Sequence, residues 1–219
     1  MNEEFNKEFN YWPTFSDLGI SIIFILIIYL ILQQITFFLT DAYKLQKIKE
    51  YQTEFVKELK FDLGKDSSII SGVINDDKNQ IISFKETFLF DNGLWEFKSP
   101  ASKNFIIKVG RVIEKYAKSG KLARLIVEGH TDSTPITYDP FGNWNLSANR
   151  AVTVVKILDE INIRDAFRQG GQKKPSRALS ISGYSQYDYI NKNENESIED
   201  KEASRRIQFF LEFKIKDDK

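Results

Sequence analysis

The sequence predicts one membrane-spanning helix near the N-terminus, a helical tether behind it, and then an α/β domain of βαβαββ order with helices packed on a mixed sheet. Three observations lead there: an uncharged apolar run long enough to cross a bilayer, an alternation of strand-like and helix-like segments from Thr87 onward, and a final segment whose apolar residues recur with period two. The boundaries that follow are a tail over 1–16, a span over 17–40, a tether over 41–68 and a folded domain over 69–219.

The span comes first. No residue from Leu18 to Leu32 is charged, and after Gln33 and Gln34 the run resumes as Ile35-Thr36-Phe37-Phe38-Leu39. As one helix, about 22 residues at roughly 1.5 Å each cover about 33 Å, enough for the bilayer core. A cleaved signal peptide fits poorly. Met1 to Trp12 carries Glu3, Glu4 and Glu8 against Lys7, and bulky Phe37-Phe38-Leu39 stands where small residues are needed. An anchor that stays in place is the expectation. Lys44, Lys47 and Lys49 follow the span while Lys7 precedes it, so the positive-inside rule by itself places the C-terminal domain in the cytoplasm.

In the tether, Leu45, Ile48, Phe55 and Leu59 recur at helical spacing with Gln52 at the skipped position. Two readings follow: a seam that pairs with a second copy of the chain, or a solvated continuation of the span. Ile69–Ile74, a turn at Asn75-Asp76-Asp77 and Gln80–Phe84 read as a hairpin. Thr87–Asp91 reads as a short strand, and Ala101–Tyr116 as an amphipathic helix with Phe105, Val109, Val112, Ile113 and Tyr116 on one face. Leu122–His130 is a strand running into the turn Gly129-His130-Thr131-Asp132. A second helix carries Ala151, Val154, Val155 and Leu158, with Ser147 as its expected N-cap. Leu179–Gly183 is a strand, the polar run 191–202 a solvated loop, and the last strand sets Ile207, Phe209, Leu211, Phe213 and Ile215 on one face.

Composition narrows the chemistry. Of 219 residues, 31 are basic and 31 acidic, and a zero net charge offers no field for nucleic acid. With no cysteine and one histidine, thiolate metal sites, cysteine nucleophiles and histidine metal clusters are excluded. His130 has no nucleophile beside it and reads as part of its turn. Neither an enzymatic activity nor a bound cofactor is expected.

Two clusters remain for function. Asp17 stands at the lip of the span, where a carboxylate either caps a helix N-terminus or binds and releases an ion against hydrocarbon. Trp12-Pro13-Thr14-Phe15-Ser16-Asp17-Leu18 before the apolar run resembles the start of the transmembrane helix in B subunits of ion-driven rotary stators, the MotB type. That resemblance implies that Asp17 carries a translocated H+ or Na+, and that two copies of the chain sit inside five copies of a multi-span A subunit.

The second cluster is Glu128-Gly129-His130-Thr131-Asp132, Asn143-Trp144-Asn145-Leu146-Ser147-Ala148-Asn149-Arg150-Ala151 and Ala203-Ser204-Arg205-Arg206. These resemble the OmpA-like peptidoglycan-binding domain over about Thr87 to Lys214. The resemblance implies that Asp132 and Arg150 hold the amine and carboxylate of diaminopimelate, that Thr131, Asn143, Leu146 and Ser147 line the same pocket, and that Arg206 lies beside it. The residues alone also permit a simple Asp132–Arg150 ion pair closing the turn.

The expected protein is a stator B subunit of the inner membrane, with its N-terminus cytoplasmic and its wall-binding domain periplasmic, because peptidoglycan lies outside that membrane. The short acidic tail and the compact tether resemble ZorB of the Zorya anti-phage system, partner of ZorA, more than flagellar MotB, partner of MotA. A flagellar-type stator subunit and a passive wall anchor are the alternatives.

Overall fold

The computed structural model describes residues 12–137, 139–188 and 197–215. The chain divides into two compact units, Met1–Lys44 and Leu45–Lys219.

The first unit holds the apolar part of helix α1, Trp12–Leu63. It is the one helix among the described residues long and apolar enough to cross a membrane. Side chains all around it, among them Leu18, Ile22, Phe24, Ile28, Leu32 and Leu39, are exposed. An all-round apolar helix with no protein against it is matched to hydrocarbon rather than to water. Two of its hydroxyls are satisfied within the helix: Thr36 Oγ1 donates to the Gln33 carbonyl at 2.8 Å and Thr40 Oγ1 to the Thr36 carbonyl at 2.7 Å.

The second unit is built on a five-stranded sheet: β1 Ile70–Asn75, β2 Asn79–Lys85, β3 Leu122–His130, β4 Leu179–Gly183 and β5 Arg206–Phe213, in the order β1-β2-β5-β3-β4. The β3–β4 pair is parallel and the others are antiparallel. α3 Pro100–Lys118, α4 Gly142–Glu160 and α5 Ile163–Gln169 complete the helical layer. The period-two reading of the last strand holds: Ile207, Phe209, Leu211 and Phe213 are all buried. Phe84 bridges the layers, edge-on to Phe209 at 5.1 Å and to Phe105 of α3 at 5.5 Å.

The tether is part of this core. Ile48, Gln52, Phe55 and Leu59 are each no more than 3% exposed. Phe55 meets Tyr116 and Phe213 edge-on, at 5.0 and 6.0 Å. Gln52, at the skipped position of the apolar repeat, donates through Nε2 to the carbonyls of Asp76 and Asn79, both at 3.0 Å, and so fastens the β1–β2 turn. The stripe expected either to pair with a second copy or to remain solvated therefore packs on the chain's own domain. The second compact unit begins at Leu45.

Four local expectations are corrected. Thr87–Asp91 is not a strand: one helical turn, α2 Glu86–Leu89, is followed by a single bridge between Phe90 and Phe97. Tertiary bonds decide this, since Ser102 Oγ donates to the Phe88 carbonyl at 2.7 Å and Lys98 N to the Leu89 carbonyl at 2.9 Å. Ser147 is no N-cap, because α4 begins five residues earlier, where Asp139 Oδ1 accepts from Phe141 N at 2.8 Å. α5 was not foreseen and follows Asn162 in the left-handed region, φ 59°. The end of the supposed loop is α6, Ile198–Ser204, started by a capping box between Ser197 and Asp200. Residues 191–196 of that run lie outside the described residues.

The tether's burial has a measurable consequence. A fragment beginning at Leu45 is expected to unfold cooperatively in denaturant, while one beginning at Ile69 loses most of that transition. Phe55→Ala in the longer fragment is expected to cost about 3–5 kcal/mol, read from the shift of the denaturation midpoint.

Candidate functional site

Two glycines set the site. A Cβ on Gly129 at the end of β3 would lie 2.0 Å from the Ser147 carbonyl oxygen, and one on Gly183 would lie 2.9 Å from Ala148 N and from Ser147 Oγ. Without side chains there, α4 packs directly on the backbone of β3 and β4. Ser147 completes that contact. Its Oγ donates to the Trp144 carbonyl at 3.0 Å and accepts from Ser185 N at 3.1 Å. Fully buried, Ser147 joins helix to sheet and does not line the cleft described next.

With α4 so placed, its first turns lie beside the turn after β3 and enclose a cleft of about 320 Å³. Thr131, Asp132, Asn143, Leu146 and Arg150 line it together with Arg205. Asn143 Nδ2 faces the carbonyls of Asp132 (3.2 Å) and Thr134 (3.0 Å) and Gln186 Oε1 (2.8 Å), which fixes the loop around the cleft. Asp132 Oδ1 accepts from Thr134 N at 3.0 Å and Oδ2 from Arg205 Nη1 at 3.2 Å. The Thr131 hydroxyl is buried with no partner among the described residues.

The charges pair differently from the expectation. Asp132 and Arg150 do not form an ion pair with each other. Asp132 is held by Arg205, and Arg150 by Glu86, with Arg150 Nη2 2.7 Å from Glu86 Oε1. Arg150 also donates to the carbonyls of Leu94 (Nε, 2.8 Å) and Asp91 (Nη2, 3.2 Å) and lies 5.4 Å over the Phe90 ring. One guanidinium thus fastens the segment from α2 to Phe97 onto α4. Burial pushes the Glu86 carboxyl up to about 7, against the downward pull of Arg150 and then Arg205.

Arg206 is not beside the cleft. It opens β5 opposite His130, and its Nη2 meets Asp188 Oδ2 at 2.7 Å. His130 stacks on Tyr184 at 5.0 Å and lies 3.3 Å from the same Asp188 oxygen. Burial, then the Arg206 charge, lowers His130 to about 3, so it is a neutral member of this cluster. Burial and the Asp188 charge raise the nearby Glu128. Sequence reasoning passed over Arg205 in the cleft and Glu86 beneath it. Arg205 stood in the quoted motif, and strand parity separates it from Arg206. Glu86 carried no signal, because its role depends on a turn of helix read as strand. Asp17 lies on α1 one turn beyond Trp12, exposed, and is therefore not the helix cap.

Because Glu86 loses its counter-charge in a buried place, Arg150→Ala is expected to destabilise the domain by about 3–5 kcal/mol, while Arg205→Ala costs less, because Arg205 is one-quarter exposed and Asp132 keeps its bond from Thr134 N. Thermal melts of the two variants check this.

No protein-family model matches the sequence, and no curated protein matches it. Solved structures do. A putative MotB-like protein from Desulfovibrio vulgaris is 19% identical with TM-score 0.60, over 80% of this chain and 99% of that one. The cell wall anchor of the T6SS from Pseudomonas aeruginosa is 18% identical with TM-score 0.53, over 71% of this chain and 97% of that one. The periplasmic domain of Helicobacter pylori MotB, residues 90–256, is 23% identical with TM-score 0.50, over 71% and 86%. The C-terminal unit thus has the fold of MotB-like periplasmic and cell-wall-anchor domains.

Proposed function

We propose that the chain is the B subunit of an ion-driven rotary stator of the inner membrane, anchored to peptidoglycan by its C-terminal unit. One observation carries the anchoring: on a fold shared with a wall anchor, the cleft holds a carboxylate, Asp132, facing guanidiniums, Arg205 and Arg150. A ligand with a free amine and a free carboxylate on one carbon, such as the end of diaminopimelate, is complementary to that arrangement. The amine meets Asp132 and the carboxylate meets the arginines. Thr131 Oγ1 offers an uncommitted hydroxyl in the same wall.

The stator reading adds Asp17, the acid that directly precedes the uncharged run of α1. In an assembly of two copies of this chain with five of a multi-span, MotA- or ZorA-like A subunit, Asp17 carries H+ or Na+, ionised when facing water and neutralised against apolar helices. The N-terminus is then cytoplasmic and the C-terminal unit periplasmic, the topology that a wall ligand requires. Only a short stretch separates the uncharged run from β1 at Ile70, which supports a compact, Zorya-type stator serving anti-phage defence over a flagellar one.

Two experiments test the reading. The full chain in detergent should pellet with purified peptidoglycan, and Asp132→Asn together with Arg205→Ala should reduce bound protein at least tenfold while the melting temperature stays near that of the parent. Unchanged pelleting removes the wall-binding site. Asp17→Asn keeps the shape and removes the titratable charge, so co-purification with an A subunit and wall binding should persist while phage protection in cells is lost. Full protection by that variant leaves a passive anchor as the better account.

A further inference from the structure

Beneath the cleft lies a group that wall binding as described does not use. Glu86, the first residue of α2, is 2% exposed, and only its Oε1 meets Arg150; its Oε2 is buried with no hydrogen-bond partner among the described residues. The charged groups acting on it come from each side of the cleft: Arg150 from α4, Arg205 from the corner before β5 and Asp132 from the turn after β3. Arg150, 1% exposed, is thus the most deeply buried cation of the cleft, and a buried carboxylate already neutralises it.

A ligand carboxylate docking on Arg150 must share that guanidinium with Glu86. Two carboxylates on one cation out of water repel, and the cheapest relief is for one to take a proton. Glu86 is the one suited to it, because no donor stabilises its Oε2 as an anion and burial already favours its neutral form.

We propose that Glu86 is a positioning residue that makes carboxylate recognition in this cleft proton-coupled: it holds Arg150 in place before a ligand docks, and takes up one proton on Oε2 as the ligand carboxylate engages the guanidinium. The inference rests on the wall-binding reading and adds a regulatory property to it. The sign follows from linkage. Where the bound state holds more protons than the free state, affinity rises as pH falls. Glu86 in the free protein titrates at about 7, so binding weakens as pH rises above that value and levels off below it. His130, neutral down to about 3, does not titrate in this window.

The test uses the full chain in detergent, meso-diaminopimelate in isothermal titration and diaminopimelate-type peptidoglycan in pelleting, from about pH 5.5 to about pH 8.5. Affinity of the parent chain should fall by up to about tenfold per pH unit above neutrality, the limit for one proton. Titrations in two buffers of different ionisation heat should count uptake of up to about one proton. Glu86→Gln, which mimics the protonated acid, should bind with a flat pH profile and take up no proton. Glu86→Asp should keep a pH slope. Binding by the parent that is flat with pH, or a slope that survives unchanged in Glu86→Gln, overturns the proposal while leaving wall binding intact. No binding by the parent at any pH removes the wall-binding reading, and this one falls with it. The parent's profile and proton count decide the question even if Glu86→Gln does not fold.

Discussion

The approach of α4 to the ends of β3 and β4 is the constraint on which the cleft depends. At Gly129 the helix backbone occupies the space of a side chain, 2.0 Å from where a Cβ would stand, and at Gly183 the margin is 2.9 Å. Dense interiors do not tolerate such overlap, so any larger residue would lift the helix off the sheet. Held down, α4 carries Asn143, Leu146 and Arg150 on one face at three- and four-residue spacing, directly beside Thr131 and Asp132. The asparagine then fixes the loop, the leucine gives the apolar wall, and the arginine reaches the segment after β2.

The charges that gather there divide their labour by depth. At the lip, Asp132 and Arg205 form a pair whose arginine is one-quarter exposed, so solvent competes for it. Below, Arg150 and Glu86 are each at most 3% exposed, and the arginine's further bonds to two main-chain carbonyls make it a structural bolt in the wall of the cleft. The third group, Arg206 with Asp188, His130 and Glu128, belongs to another part of the sheet, because consecutive residues at the start of a strand turn to opposite faces. The cleft therefore has a partly exposed ion pair at its lip and a buried one below.

Much of this was legible in the chain before any coordinates. Hydrophobic spacing alone marks the apolar span, the β1–β2 hairpin, α3, β3, β4 and β5, because each is a regular element whose buried face repeats with its own period. The resemblance of the motifs to the OmpA-like domain is what brings Thr131, Asp132, Asn143, Leu146 and Arg150 together as candidates. The capping box at Ser197 and Asp200 was equally readable and was overlooked within a polar run.

What the sequence by itself determined, then, is which segments are apolar, with what period, and which charged residues stand near the turns. What only the tertiary structure decided is where each stripe and each charge finds its partner. The apolar repeat from Leu45 to Leu59 specifies a helix with one buried face, but a second copy and the chain's own sheet satisfy that pattern equally, and Phe55 against Tyr116 and Phe213 is a contact between residues far apart in sequence. Likewise, Asp132 had several arginines within reach of the motifs, and the pairing with Arg205 rather than Arg150 follows from a strand start and a buried turn at Glu86 that no local pattern announces. Ion pairing depends on distance and burial, and both are properties of the assembled fold.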